Sequence, residues 1–146
     1  MILATRPAAA ADLPFLADCF LRAMRPSLTA RRGDWDERRE RERFEDALDL
    51  DRTTVIVADA VAVGFVMIAE LPRLLQLHTV CIAPEHQQRG IGSEIVRDLI
   101  DLGRQTGRDV ILSVLKVNPR AEALYARLGF TVYEESEDHR HMRHTR

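Results

Sequence analysis

The amino-acid sequence predicts an α/β sandwich, a mixed and mainly antiparallel sheet of about seven strands with flanking helices. Three observations lead there. Apolar runs of strand length alternate with amphipathic stretches of helical period, in the order strand, two helices, three strands, helix, strand, helix, two strands. In the middle of that order Val80-Cys81-Ile82-Ala83 passes through Pro84 and Gln87-Gln88-Arg89-Gly90-Ile91-Gly92-Ser93 into a helix. And 146 residues without repeats or a low-complexity linker suit a single domain, spanning 1–146, that can bury a sizeable core.

Ile2 to Arg6 reads as a first strand closed by Pro7. An alanine-rich link then reaches Asp12, placed to cap a helix that carries Pro14 in its tolerant first turn. Leu13, Leu16, Phe20 and Met24, with Ala17 and Leu21, share one helical face, which Pro26 is expected to end. Arg31 to Asp49 is dense in charge, with Trp35, Phe44 and Leu48 as sparse apolar positions. This predicts a mostly solvated second helix, entered near Asp34 and laced with i,i+4 ion pairs.

Thr53 to Ala58 and Ala62 to Ile68 read as a hairpin about Asp59-Ala60-Val61, and Pro72 helps the turn from Glu70 to Leu75. Gln76 to Ile82 is apolar enough to be a central strand. From Ile91 the helix puts Ile91, Ile95 and Leu99 on one ridge, Val96, Ile100 and Gly103 beside it and its charges opposite, and ends at Gly107. Val110 to Val117 is another buried strand. Pro119 to Leu128 is a short helix stopped by Gly129, and Phe130 to Glu134 and Arg140 to His144 form a closing antiparallel pair.

The 21 basic and 23 acidic side chains give a formal charge of -2, which argues against a general nucleic-acid or anionic-membrane surface. Cys19 and Cys81 have neither a Cys-x-x-Cys nor a zinc-like spacing, so reduced thiols in a cytoplasmic protein are expected. No basic segment precedes a long apolar core, and no stretch nears the ~18 apolar residues of a membrane span. A soluble, unexported protein is the expectation.

The turn before the helix at Ile91 is suited to a phosphate. N–H groups at a helix start lack intrahelical partners and lie at the positive end of the dipole, while Gly90 and Gly92 leave backbone bare for close approach. Two nucleotide motifs are excluded. Gly92-Ser93-Glu94 lacks the lysine of a Walker loop, and Ile95 stands where a dinucleotide fingerprint needs its third glycine. Taken with Asn118-Pro119-Arg120-Ala121-Glu122-Ala123-Leu124-Tyr125-Ala126-Arg127-Leu128-Gly129-Phe130, the stretch resembles the GCN5-related N-acetyltransferase (GNAT) superfamily, which moves acetyl groups from acetyl-CoA to amines. Its pyrophosphate loop, Gln/Arg-x-x-Gly-x-Gly/Ala, is matched by Gln87 to Gly92, and its second signature, an asparagine followed by Ala-x-x-Leu-Tyr-x-x-x-Gly-Phe, by Asn118 to Phe130. The resemblance covers roughly Gly64 to Tyr133.

The resemblance implies a fold in which the strands ending at Ile82 and near Val117 splay apart around the acyl-pantetheine arm. It implies that Val80, Cys81 and Ile82 line that arm, with Val80 and Ile82 pairing with its amides and backbone N–H groups near Val80 facing the thioester carbonyl. Gln87, Gln88, Arg89, Gly90, Ile91, Gly92 and Ser93 would hold the pyrophosphate. Asn118 would bond the cofactor arm while also capping a helix, and Tyr125 would assist the departing CoA thiolate. A general base is less legible. Gln76 stands where histone-type members carry a glutamate, His78 falls where arylalkylamine-type members use a histidine, and Glu70 acting through water is the fallback.

In the resembled fold the first two helices and their loop line the acceptor site, which makes Trp35, Arg25 and Arg32 acceptor candidates along with Glu70. A lone tryptophan also serves simply as packing. The acceptor is expected to be a small-molecule or peptide amine, and exposed edge strands would allow a homodimer. A non-catalytic acyl-CoA binding module of the same fold is the alternative. His139, His141 and His144 match no familiar ligand spacing, so no metal is expected.

Overall fold

The computed structural model describes residues 1–146. Seven strands, β1 (Leu3–Pro7), β2 (Thr53–Ala58), β3 (Val61–Glu70), β4 (Leu74–Ile82), β5 (Asp109–Leu115), β6 (Thr131–Glu135) and β7 (His139–His144), form one sheet in the order β1-β2-β3-β4-β5-β7-β6. Four helices accompany it: α1 (Leu13–Arg32), α2 (Glu37–Ala47), α3 (Ile91–Thr106) and α4 (Pro119–Arg127). The β4–β5 pair is parallel, whereas β1–β2, β2–β3, β5–β7 and β6–β7 are antiparallel. This is the mixed, mainly antiparallel sheet expected from the order of elements. No helix is long and apolar enough to cross a membrane.

Two compact units divide the chain, Met1–Met67 with Thr79–Ile91 and Ile68–His78 with Gly92–Arg146, so that β3 and β4 each run through both. In the first unit, β2 and β3 are joined by Asp59 and Ala60, both left-handed at φ 49° and 67°. Two left-handed residues in succession make the turn whose twist matches a hairpin, which shortens the expected connection and returns Val61 to the strand. Asp59 also accepts the Ile2 N–H at 2.7 Å, tying the turn to the chain start.

Helix α1 corrects two expectations. It passes through Pro26 and ends only at Gly33, whose φ of 82° supplies the left-handed cap. Pro26 removes one backbone donor at an exposed position, and buried Leu28 anchors the turn beyond it, so packing outweighs the lost bond. Asp12 is itself helical and makes no capping bond to α1. Its carboxylate accepts the Ala9 N–H and both forks of Arg6 at 2.8–2.9 Å, closing the turn ahead of the helix.

Helix α2 is shorter than expected and capped by Asp36, and it is mostly solvated as expected, with only Glu40 and Phe44 buried. Phe44 is buried against Phe20 at a centroid distance of 4.7 Å and against Phe65 at 5.9 Å. Leu16, Ala17, Cys19, Val55, Cys81 and Ala83 complete this core. Burial of each large side chain contributes roughly 1.5–3 kcal/mol. Glu40, buried on the same helix, is neutralised by Arg32 and Arg43.

Gly64 of β3 has a steric reason. A Cβ there would lie 2.2 Å from the Cys81 carbonyl oxygen, so only bare backbone lets β4 run so close.

In the second unit, Ile95, Val96, Leu99 and Ile100 of α3 are buried, and a Cβ on Gly103 would meet the Arg108 carbonyl oxygen at 2.5 Å. Helix α3 thus closes tightly on the chain entering β5. Leu112 of β5 sits opposite Met142 of β7, both buried. Phe130 packs between Tyr125 of α4 and His144 of β7, at 5.8 and 5.4 Å. At the start of β5 the buried Asp109 accepts the Arg146 N–H at 2.9 Å and the Arg143 Nε at 2.8 Å. These bonds, the Arg146 one foremost, hold its carboxyl below the usual range.

Gly64→Ala should destabilise the protein by about 2–4 kcal/mol, read as a lower urea midpoint at unchanged m-value. Because the Asp109 carboxyl titrates lower folded than unfolded, its stabilisation is complete above the unfolded value and is lost as pH falls through the folded one. Asp109→Asn should therefore be less stable than the wild type at pH 7, and the difference should close as pH falls from about 5 toward 2.

Candidate active site

The first unit holds the end of β4 and the loop beyond it. Ala83 N–H bonds the Val63 carbonyl at 2.8 Å, and the Gln87 side chain donates to the Ile82 carbonyl at 3.0 Å, so the strand end and the loop are tied together. Gln88 and Gly90 are both left-handed, at φ 63° and 79°. Left-handed residues in such close succession belong to the turns in which neighbouring N–H groups converge on an anion. A Cβ on Gly90 would meet nothing within 4 Å, so the glycine is needed for its backbone angle rather than for space. Arg89 donates to Met1 Sδ at 3.3 Å and lies 3.0 Å from His86 Nδ1, and Arg22 of α1 pairs with Glu85. Helix α3 follows directly, and its first four N–H groups lack intrahelical acceptors.

The same unit brings Cys81 to Cys19, with sulfurs 3.8 Å apart although 62 residues separate them. Contact with Cys19 and then burial push the Cys81 thiol well above its usual range. Cys81 is thereby kept as a thiol, a small apolar filler behind the strand backbone. Trp35, half-buried between α1 and α2, carries the Arg25 guanidinium 5.0 Å from its ring centroid. Arg32 is committed to Glu40. Of these three acceptor candidates, two on α1 and Trp35 on the loop after it, Arg32 thus has a structural duty and the other two stack on each other.

The second unit holds the remaining groups. The β4–β5 ladder runs from Leu74↔Asp109 to Leu77↔Leu112 and stops before His78 and Ser113, although both strands continue. The expected splaying would begin at that step. His78 is exposed there, and Ser113 turns instead to His141 of β7, with Oγ 2.6 Å from Nδ1. Asn118 caps α4, accepting the Ala121 N–H at 3.3 Å. Tyr125, two turns on, is buried, and burial alone pushes its phenol up to about 12. Glu70 is held by Arg108 at 3.0 Å. His139 and His141 stack at 6.3 Å on β7, whereas His144 packs on Phe130, so the three histidines do not gather.

The acetyltransferase (GNAT) family model matches residues 18–130. The chain belongs to the GNAT acetyltransferase family. This GNAT chain is 39% identical over 72 residues, 47% of its own length and 44% of the relative's, to N-alpha-acetyltransferase RimI of Mycobacterium tuberculosis. It is 32% identical over 60 residues to the uncharacterized N-acetyltransferase YobR of Bacillus subtilis, covering 40% of this chain and 24% of that one. The matches thus span less than half the length of either curated relative. PaiA N-acetyltransferase from Thermoplasma acidophilum, solved in complex with coenzyme A, superposes over 100% of both chains with a TM-score of 0.75 at 19% identity. The ribosomal-protein-S18-alanine N-acetyltransferase of Escherichia coli superposes with a TM-score of 0.65 at 20% identity, covering 97% of this chain and 90% of that one.

Three features of the GNAT chain carry no local sequence signal: the left-handed Gln88, the Gln87 tether to Ile82 and the Cys19–Cys81 contact. Glutamines rarely take positive φ, so Gln88 could be read only from the folded loop. In a pH-jump titration of tyrosinate absorbance, read before alkaline unfolding, one tyrosine should ionise only toward pH 12. Tyr125→Phe should delete that late step and leave the Tyr133 absorbance change in place.

Proposed function

We propose that this chain transfers an acetyl group from acetyl-CoA to a primary amine by direct attack of the amine on the thioester. The observation that carries the reading is Tyr125, a buried phenol that stays neutral across the working pH range, in a family of acetyltransferases. Support for cofactor binding comes from the loop, where Gln88 and Gly90 are left-handed immediately before α3, and from the CoA-bound PaiA relative in fold.

The cofactor supplies the activated acetyl group, and the chain's own residues bind and polarise it. Backbone N–H groups of Gln88 to Ser93 would hold the pyrophosphate, with Arg89 leaving Met1 and His86 to assist. Backbone groups of Val80 and Ile82 would pair with the pantetheine amides, and an N–H near Val80 would stabilise the oxyanion as the amine adds to the carbonyl carbon. When the C–S bond breaks, the electron pair goes to sulfur. The thiolate of an alkyl thiol with ordinary acidity, about 8.5, is a far weaker base than the phenolate of a phenol that titrates at about 12, so full proton transfer from Tyr125 is uphill. Tyr125 therefore serves as a hydrogen-bond donor to the thiolate, and the sulfur's proton comes finally from the attacking nitrogen.

His78 is the base candidate that the fold leaves exposed, whereas Glu70 is engaged by Arg108 and would have to break that pair. An amine that arrives partly deprotonated needs neither. The RimI relative acts on α-amines by name, which makes a peptide N-terminus the first acceptor to test, on a surface where Arg25 and Trp35 are candidates.

Calorimetric titration with acetyl-CoA should show saturable binding, absent with ATP or NAD and abolished by Gly90→Glu. With a reactive peptide amine, Tyr125→Phe should keep that affinity and lower kcat roughly 10²-fold. Binding without turnover on any α-amine, ε-amine or small amine would leave an acyl-CoA binding module, and no binding would remove the transferase reading.

A further inference from the structure

In the second unit, Arg73, Leu74, Gly107, Arg143 and Arg146 line a cavity of about 550 Å³. We propose that it is a binding site for a phosphate dianion, either inorganic phosphate or a phosphomonoester. The site is separate in sequence from the loop at Gln87 to Ser93 and does not depend on the transferase reading.

Three guanidiniums line the cavity, and the buried Asp109 is the carboxylate that engages two of them. Among side chains this leaves two positive charges in excess, which an α-carboxylate on Arg146 reduces to one, in a chain whose formal charge is -2. A phosphate carries about -1.5 to -2 at neutral pH and offers oxygens to three forks at once, which a single carboxylate does not. The C-terminal end of α3 lies at Gly107 and offsets about half a charge, too little to reverse the sign.

Geometry then selects the donor arrangement. Asp109 takes Arg143 through Nε and Nη2 and Arg146 through its backbone N–H and Nη1. One edge of each fork is thus anchored to a buried group while the other donors of its five N–H set remain available. Arg73, exposed on the turn between β3 and β4, makes no ion pair and keeps its whole fork. Planar forks fixed in this way suit the paired oxygens of a phosphate. The volume falls within the range of small-molecule sites and exceeds what a bare ion needs. Leu74 offers an apolar wall, and Gly107, at φ 69°, a side without a side chain, which leaves room for an organic group on the phosphate.

The test is calorimetric titration with inorganic phosphate and, separately, glycerol 3-phosphate, at pH 7.5 and at ionic strength held constant with chloride. Wild type and Gly90→Glu should both bind phosphate saturably. Arg73→Gln, which breaks no ion pair, should keep its thermal midpoint in chloride and bind at least about tenfold more weakly. Tighter binding of glycerol 3-phosphate would assign the site to a phosphomonoester, and equal affinity would assign it to free phosphate. Binding unaffected by Arg73→Gln, binding abolished by Gly90→Glu, or no saturation by about 20 mM would overturn the proposal.

Discussion

The close approach of β4 to the bare backbone at Gly64 is the constraint on which the first unit depends. With 2.2 Å from a would-be Cβ to the Cys81 carbonyl, the path of the strand is set by the absence of one methyl group. Everything downstream follows that path. Ala83 is bonded to Val63, Gln87 to Ile82, and the left-handed Gln88 and Gly90 follow before α3 begins. On the other side of the strand the Cys81 thiol meets Cys19 of α1, and Phe44 of α2 reaches the same core through Phe20 and Phe65. The backbone of β4 is thus held from both faces, through Gly64 on β3 and through Cys19 on α1.

The second unit owes its chemistry to burial. Tyr125 packs edge-on against Phe130, and its phenol rises to about 12 through desolvation alone, with no charged neighbour responsible. A neutral phenol is a lasting donor and a reluctant acid. Asn118 sets the helix that carries it, so the cap that orders α4 also determines where the phenol sits.

Charge in this chain is mostly committed to structure. Glu40 is buried between Arg32 and Arg43, Asp12 closes a turn with Arg6, and Asp109 gathers the arginines at the end of β7. The Asp109 cluster differs because cation exceeds anion there and a cavity adjoins it. A paired surface face and an anion site can have the same arginine-rich composition, and only their counting in space separates them.

The sequence by itself determined what short-range chemistry encodes. The alternation of periods specified seven strands and four helices in order, Gly107 and Gly129 marked two helix ends, and the spacing of Gln87 to Gly92 and Asn118 to Phe130 specified the family. It misplaced the end of α1, because the local cost of Pro26 is modest and the burial of Leu28 that offsets it is a long-range fact. Likewise no local signal put Gln88 in the left-handed region, joined Cys19 to Cys81 or stopped the β4–β5 ladder at Leu77 and Leu112. Tertiary structure alone decided those features, since each depends on which distant backbone or side chain lies opposite, and a residue's own propensities carry no record of that neighbour.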